Sequence, residues 1–172
     1  MKHIILLQMM AFCITLAAGC SKTDSVEPPT ETTSQVIAKV SNTNAEQIVF
    51  TGDDILWFNG RTKELRFRNN YSNKTMLDAI TAHAIKFYIN DEYLFASILC
   101  VSSLSSQVFN SLVFYYNMIE NKFFLADGYP EASVLPDPQK AQEERDENKR
   151  KIANEWNKFV NRLKLEGKYQ EL

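Results

Sequence analysis

Glycine is scarce in this 172-residue chain, five in all, which leaves too little for a Gly-rich loop that would cradle a phosphate. Charge of one sign is missing too. Nineteen Lys and Arg face 21 Asp and Glu for a formal charge of -2, and no basic stripe stands out that could neutralise phosphates, so nucleic acid is not an expected partner. The longest apolar run, Ile4 to Ala18, falls short of the ~20 residues that cross a bilayer comfortably.

What is present begins at the start. Met1-Lys2-His3, the apolar run and the small residues Ala17-Ala18-Gly19 before Cys20 read as a secretory signal over residues 1–19. Leu16-Ala17-Ala18-Gly19-Cys20 resembles the bacterial lipobox. That resemblance implies diacylglycerol transfer to the Cys20 sulfur, cleavage before it and acylation of the new amino end. Cys13 then leaves with the signal, Cys20 is taken by lipid, and Cys100 stands alone among Ile98, Leu99 and Val101, as a small buried hydrophobe would. No intramolecular disulfide is available, and His83 remains as the one histidine, which excludes zinc sites rich in Cys or His. No cofactor is expected.

Residues 20–44 are rich in Ser, Thr, Pro and Glu, with Pro28-Pro29 and few large apolar side chains before Val36. Such a composition cannot bury enough surface to offset its ordering entropy and reads as a flexible tether. Val36, Ile37 and Val40 begin order or a short first strand. Residues 45–172 are enough for one domain.

In that domain Ile48-Val49-Phe50 and Ile55-Leu56-Trp57-Phe58 are short apolar runs around the turn-forming Thr51-Gly52-Asp53-Asp54. Asn59-Gly60 predicts a tight hairpin into Lys63–Arg68, where Leu65 and Phe67 alternate with charge. A second hairpin runs from Ala84–Ile89 through Asn90-Asp91 into Tyr93–Val101, which is apolar on both phases and should be central. A third runs over Val108–Tyr116 and turns within Asn117–Asn121 into Lys122–Ala126. Asp137-Pro138 opens a helix, an acceptor followed by a residue whose φ is already helical. No breaker follows before Gly167, so one helix over about 138–166 is expected, ~43 Å long at 1.5 Å per residue. Its first half, including Arg145, is polar all round and should project or lie over solvent. Its second half aligns Ile152, Trp156, Phe159, Val160 and Leu163 for docking on a sheet. The fold class expected is α+β, an antiparallel sheet of about six strands from sequential hairpins with one long C-terminal helix.

No motif for catalysis stands out. Asp53 and Asp54, with Asp91, Glu92 and Asp127, lie at expected strand ends, where carboxylates could perform acid-base work or simply shape turns. A Ser-His-Asp relay would have to use His83 with a serine of 102–106. Tyr88 with Tyr115 or Tyr116 on a wet sheet face could stack on sugars or a partner, or pair across strands as ordinary sheet aromatics do.

Phe50–Ile55, Phe58-Asn59, Glu64-Leu65, Phe87–Asp91, Leu94-Phe95 and Asp127–Pro130 together are similar to small lipoproteins of unknown function from gut Bacteroides and relatives. The resemblance implies an outer-membrane address, periplasmic or surface-exposed, with the membrane as partner through the lipid. Ser21 lacks the aspartate that signals inner-membrane retention in other Gram-negative groups. Asp24-Ser25-Val26 resembles the O-glycosylation tripeptide of these bacteria, which would place a glycan on Ser25. The function expected is a non-catalytic binding or assembly module of the envelope, its partner an envelope protein or glycan. The alternatives are an envelope hydrolase using strand-end carboxylates, and an inhibitor or periplasmic chaperone.

Overall fold

Alternation of apolar and polar side chains produces strands whose apolar phase points to one common side. A computed structural model describes residues 35–42, 45–68, 84–101 and 106–171, all within the unit Thr33–Leu172. Its strands are β1 (Val36–Asn42), β2 (Ala45–Thr51), β3 (Ile55–Asn59), β4 (Glu64–Phe67), β5 (Ala84–Ile89), β6 (Glu92–Val101), β7 (Val113–Asn117), β8 (Lys122–Ala126) and β9 (Tyr169–Gln170). They form one sheet in the order β2-β1-β5-β6-β7-β8-β4-β3-β9. Neighbours are antiparallel except β6 with β7 and β3 with β9, which run parallel.

The sheet curls into a half-barrel. β2 and β4 stand six places apart in the order, which in a flat sheet would separate them by ~29 Å at ~4.8 Å per strand. The Phe50 and Phe67 rings instead meet edge-on at 4.9 Å. Register shifts in β1, β3 and the β5–β6 pair sharpen the twist. Three residues, Gly52–Asp54, join β2 near one margin of the sheet to β3 near the other. The inner face of the curl is phenylalanine-rich, with Phe50, Phe58, Phe87, Phe95 and Phe114 fully buried.

Two helices follow, α1 (Pro138–Lys151) and α2 (Ala153–Leu165). Asp137 caps α1 as expected, its carboxylate accepting from the Lys140 N–H at 3.0 Å. The helical path breaks at Ile152, with φ -110° and ψ 14°. α2 seats Phe159 and Leu163 in the curl, and Trp156 is half-buried beside them. Gly167, at φ 67°, turns the chain back, the Lys168 N–H bonding Leu163 O at 2.8 Å. β9 then lies along β3.

The expectation of six antiparallel strands beneath one long helix is therefore wrong on three counts. Alternation reveals which side chains share a face, but not which strand is the neighbour or in which direction it runs. β6 and β7 consequently lie parallel, while residues 108–112, the first part of an expected strand, contribute only an isolated bridge at Phe109. β9 is too short to leave a hydrophobic pattern. The helix divides because its halves bury different faces against different partners: Ala141 and Arg145 in α1, Phe159 and Leu163 in α2. Arg145 is only 6 % exposed, so α1 does not project. No described helix is long and apolar enough to cross a membrane.

Candidate functional site

Of the carboxylates picked out at strand ends, Asp54 is held within its own turn, while Asp53, Glu92 and Asp127 are bound by Gln35, Lys158 and Lys149. Asp54 accepts from the Thr51 N–H at 2.8 Å and the Thr51 hydroxyl at 3.0 Å. Asp53 accepts from the Gln35 amide at 2.8 Å, while Arg68 binds the Asp53 and Asp54 carbonyls. Asp91 occupies the β5–β6 turn at φ 63°, and Asp127 pairs with Lys149 at 3.1 Å. Among the described residues no three His, Cys, Asp or Glu side chains gather where a metal ion could be held. Cys20, Ser25 and His83 lie outside the described residues.

The tyrosines separate. Tyr116 faces the core, its ring against Phe123 and its hydroxyl donating to Asn121 at 2.7 Å. Tyr88 packs against Tyr93 on the outer face, with the Lys39 ammonium 4.9 Å from its ring centre. Tyr115 shares that outer face but pairs with Cys100, seven residues along β6 from Tyr93 and so roughly 23 Å away at ~3.3 Å per residue. Tyr88 and Tyr115 do not form one platform.

Tyr115 has other company. In β7 and β8, Phe114, Tyr116, Phe123 and Leu125 take the inner phase, which leaves Tyr115 and Phe124 outside as cross-strand partners. Their rings stack at 4.9 Å and 15°, and Tyr129 closes on Tyr115 at 5.2 Å. These three rings line an open groove of about 1050 Å³. The β3–β4 turn, Arg61 to Lys63, forms one side, and the tip of the β7–β8 hairpin brings in the exposed Ile119. The segment Asp127–Val134 forms the opposite wall.

That wall is tied down. Phe109 and Tyr129 exchange backbone bonds of 2.7 and 2.9 Å, and the Arg145 guanidinium donates to Pro130 O at 2.7 Å, Phe109 O at 3.4 Å and the Asn110 side chain at 3.1 Å. The guanidinium lies against Gly128, where a Cβ would overlap it.

The rim carries charge of both signs. Lys122 is paired with Glu120 at 3.2 Å and Glu64 at 3.7 Å, and its hydrogen bond to Glu120 leads the upward shift of its pKa. Lys63 is half-buried and donates to Gly60 O at 2.7 Å; burial lowers its pKa, partly offset by Asp127. The Tyr115 hydroxyl has no hydrogen-bond partner among the described residues. Comparison with protein-family models, with curated proteins and with solved structures found no match.

Burial pushes the Tyr115 phenol up to about 12, with Glu131 adding to it, and the Cys100 thiol up to about 11. The unfolded chain releases both protons at the ordinary values of 10.0 and 9.0, whereas the folded chain retains them. Stability is accordingly full below pH 9 and falls as pH rises from about 9 to about 12. Urea midpoints measured between pH 8 and 11 should drop less in a Cys100→Ala, Tyr115→Phe double variant than in the parent; parallel curves would refute the assignment.

The stack was within reach of the sequence. Pairing Asn117 with Lys122 at the hairpin mouth and counting back two residues brings Tyr115 opposite Phe124. Nothing local to Lys63 or Arg145 announced that those two side chains would line the same groove.

Proposed function

We propose that this chain is a lipid-anchored module of the bacterial envelope, exposed at the outer membrane on its periplasmic or outer side, that binds a ligand in the outer-face groove and does not turn it over. The observation that carries the reading is the row of partly exposed rings, Tyr129, Tyr115 and Phe124, set in a groove with a polar rim. Concave sites that combine apolar rings with a few placed polar groups are what ligands occupy. Binding is favoured over hydrolysis because the Asp54 carboxylate is engaged by Thr51 and the Asp53 carboxylate by the Gln35 amide, and neither residue lines the groove. The anchor rests on the lipobox-like Leu16–Cys20 alone.

Two measurements test it. Phe124→Ala, at a half-buried outer-face position, should leave the melting transition cooperative while weakening capture on a glycan and peptide array by about tenfold, ~1.4 kcal/mol. Cys20→Ala should abolish palmitate labelling and release the protein from membranes. Turnover of an array ligand that disappears in Asp54→Asn would replace the binding module with a hydrolase.

A further inference from the structure

Four basic and four acidic side chains line the outer-face groove, so its formal charge cancels. Most of these charges are already engaged. Lys122 is paired with Glu64 and Glu120, and Asp127 with Lys149. The Lys63 amine donates to Gly60 O of its own turn, and the Arg145 guanidinium is taken up by oxygens of Phe109, Asn110 and Pro130. Arg61 and Glu131 remain. Neither side chain has a hydrogen bond or an ion pair among the described residues, and they stand on opposite walls, one in the β3–β4 turn and the other in the segment Asp127–Val134.

This arrangement selects by charge. An acid entering the groove gains Arg61 but meets Glu131, and an amine meets the reverse, whereas a ligand made of hydroxyl groups accepts from the guanidinium and donates to the carboxylate at once. The Tyr115 hydroxyl, also without a partner among the described residues, can serve such a ligand in either sense. Beneath these groups the floor is apolar, with the Tyr129, Tyr115 and Phe124 rings in a row at 5.2 and 4.9 Å between centres. Hydroxyl groups around an apolar C–H face are the make-up of a sugar ring. A peptide fits less well. The backbone groups of β4, β7 and β8 are engaged in sheet pairing on both sides, so an extended peptide finds no free strand margin in the floor. Tyr115 and Phe124 lie face to face at 15°, which leaves no slot between them for the proline of a polyproline ligand.

We propose that the groove takes an uncharged oligosaccharide, the C–H face of a sugar against the ring row and its hydroxyl groups reaching Arg61 on one wall and Glu131 on the other. This rests on the groove being the binding site and names the ligand class for it.

The test is calorimetric titration of the full chain with two matched pairs of probes, chitohexaose against its deacetylated amine form and methyl-esterified tri-galacturonate against the free acid, together with decaproline. At least one uncharged sugar should bind, about tenfold tighter than its charged counterpart. Glu131→Gln should raise the affinity for the acid and Arg61→Gln that for the amine, because each leaves the opposite charge unanswered. Both residues are exposed, so these variants should melt with the parent. Phe124→Ala should weaken sugar binding about tenfold. Charged members that bind as well as the uncharged ones, with Phe124→Ala weakening both, would overturn the uncharged class and leave the groove reading standing. Sugar binding unchanged in Phe124→Ala would overturn the groove reading and this inference with it. Capture of decaproline in place of sugar, or of no probe at millimolar concentration, would overturn the proposal.

Discussion

Phe159→Ala is expected to lower the unfolding free energy by about 3–5 kcal/mol, the range for deleting a fully buried aromatic ring. The Phe159 ring meets Trp156 at 5.6 Å, Phe95 at 5.7 Å, Phe87 at 5.8 Å and Phe58 at 6.1 Å, and so joins α2 to β3, β5 and β6 at once. Trp156, the other aromatic ring of α2, meets Phe58 and Phe95 at 5.9 and 5.8 Å, so the void left by alanine would open between two ring-packed elements. Urea melts read the loss directly. Asn157→Ala, exposed on the same helix, should shift stability by less than ~0.5 kcal/mol. Equal small effects would mean that α2 does not dock as described.

Arg145→Ala should cost about 2–3 kcal/mol, because a charged donor is withdrawn from three neutral acceptors. Two of these are backbone carbonyls on segments distant in sequence, Pro130 and Phe109, the latter also accepting from the Tyr129 N–H. Lysine would restore the charge as a single point and not the fork, so Arg145→Lys should recover only part of the loss. Gly128→Ala should reproduce the defect from the other side, since the new methyl group would displace the guanidinium and crowd Phe109 O. Hydrogen exchange over residues 127–134 should quicken in both variants. Unchanged protection there would show that the wall of the groove stands without its arginine.

The sequence announced the local pieces because local physics makes them. The turn at Asn90-Asp91, the cap at Asp137, the stop at Gly167 and the inward phase of Leu65 and Phe67 each follow from a few neighbouring residues. Asn59-Gly60 shows the limit of such reasoning. The pair does sit in a turn, yet the left-handed residue is Lys63, because Asn59 folds its side chain over the amides of Arg61 and Thr62 and postpones the reversal. What joined the pieces was not local. Whether β6 meets β7 head to head or in parallel depends on the path of the connection, and the inward turn of Arg145 depends on carbonyls at Phe109 and Pro130. A polar helix face looks solvated in sequence until one of its arginines finds carbonyl acceptors on distant segments. The groove inherits both difficulties, as its floor comes from one hairpin while its walls come from the β3–β4 turn and from a segment that a helix arginine ties down.

The pairing of β3 with β9 makes the sheet margin dependent on timing. Phe58 and Asn59 are synthesised early, and the residues that cover them, Tyr169 and Gln170, emerge after every other strand of the sheet. Until then the margin offers bare amide and carbonyl groups, a template on which a foreign strand can nucleate. β9 is a late seal. Cleavage between Gly167 and Tyr169 would remove few core contacts and yet reopen that margin, so solubility should suffer before melting temperature does.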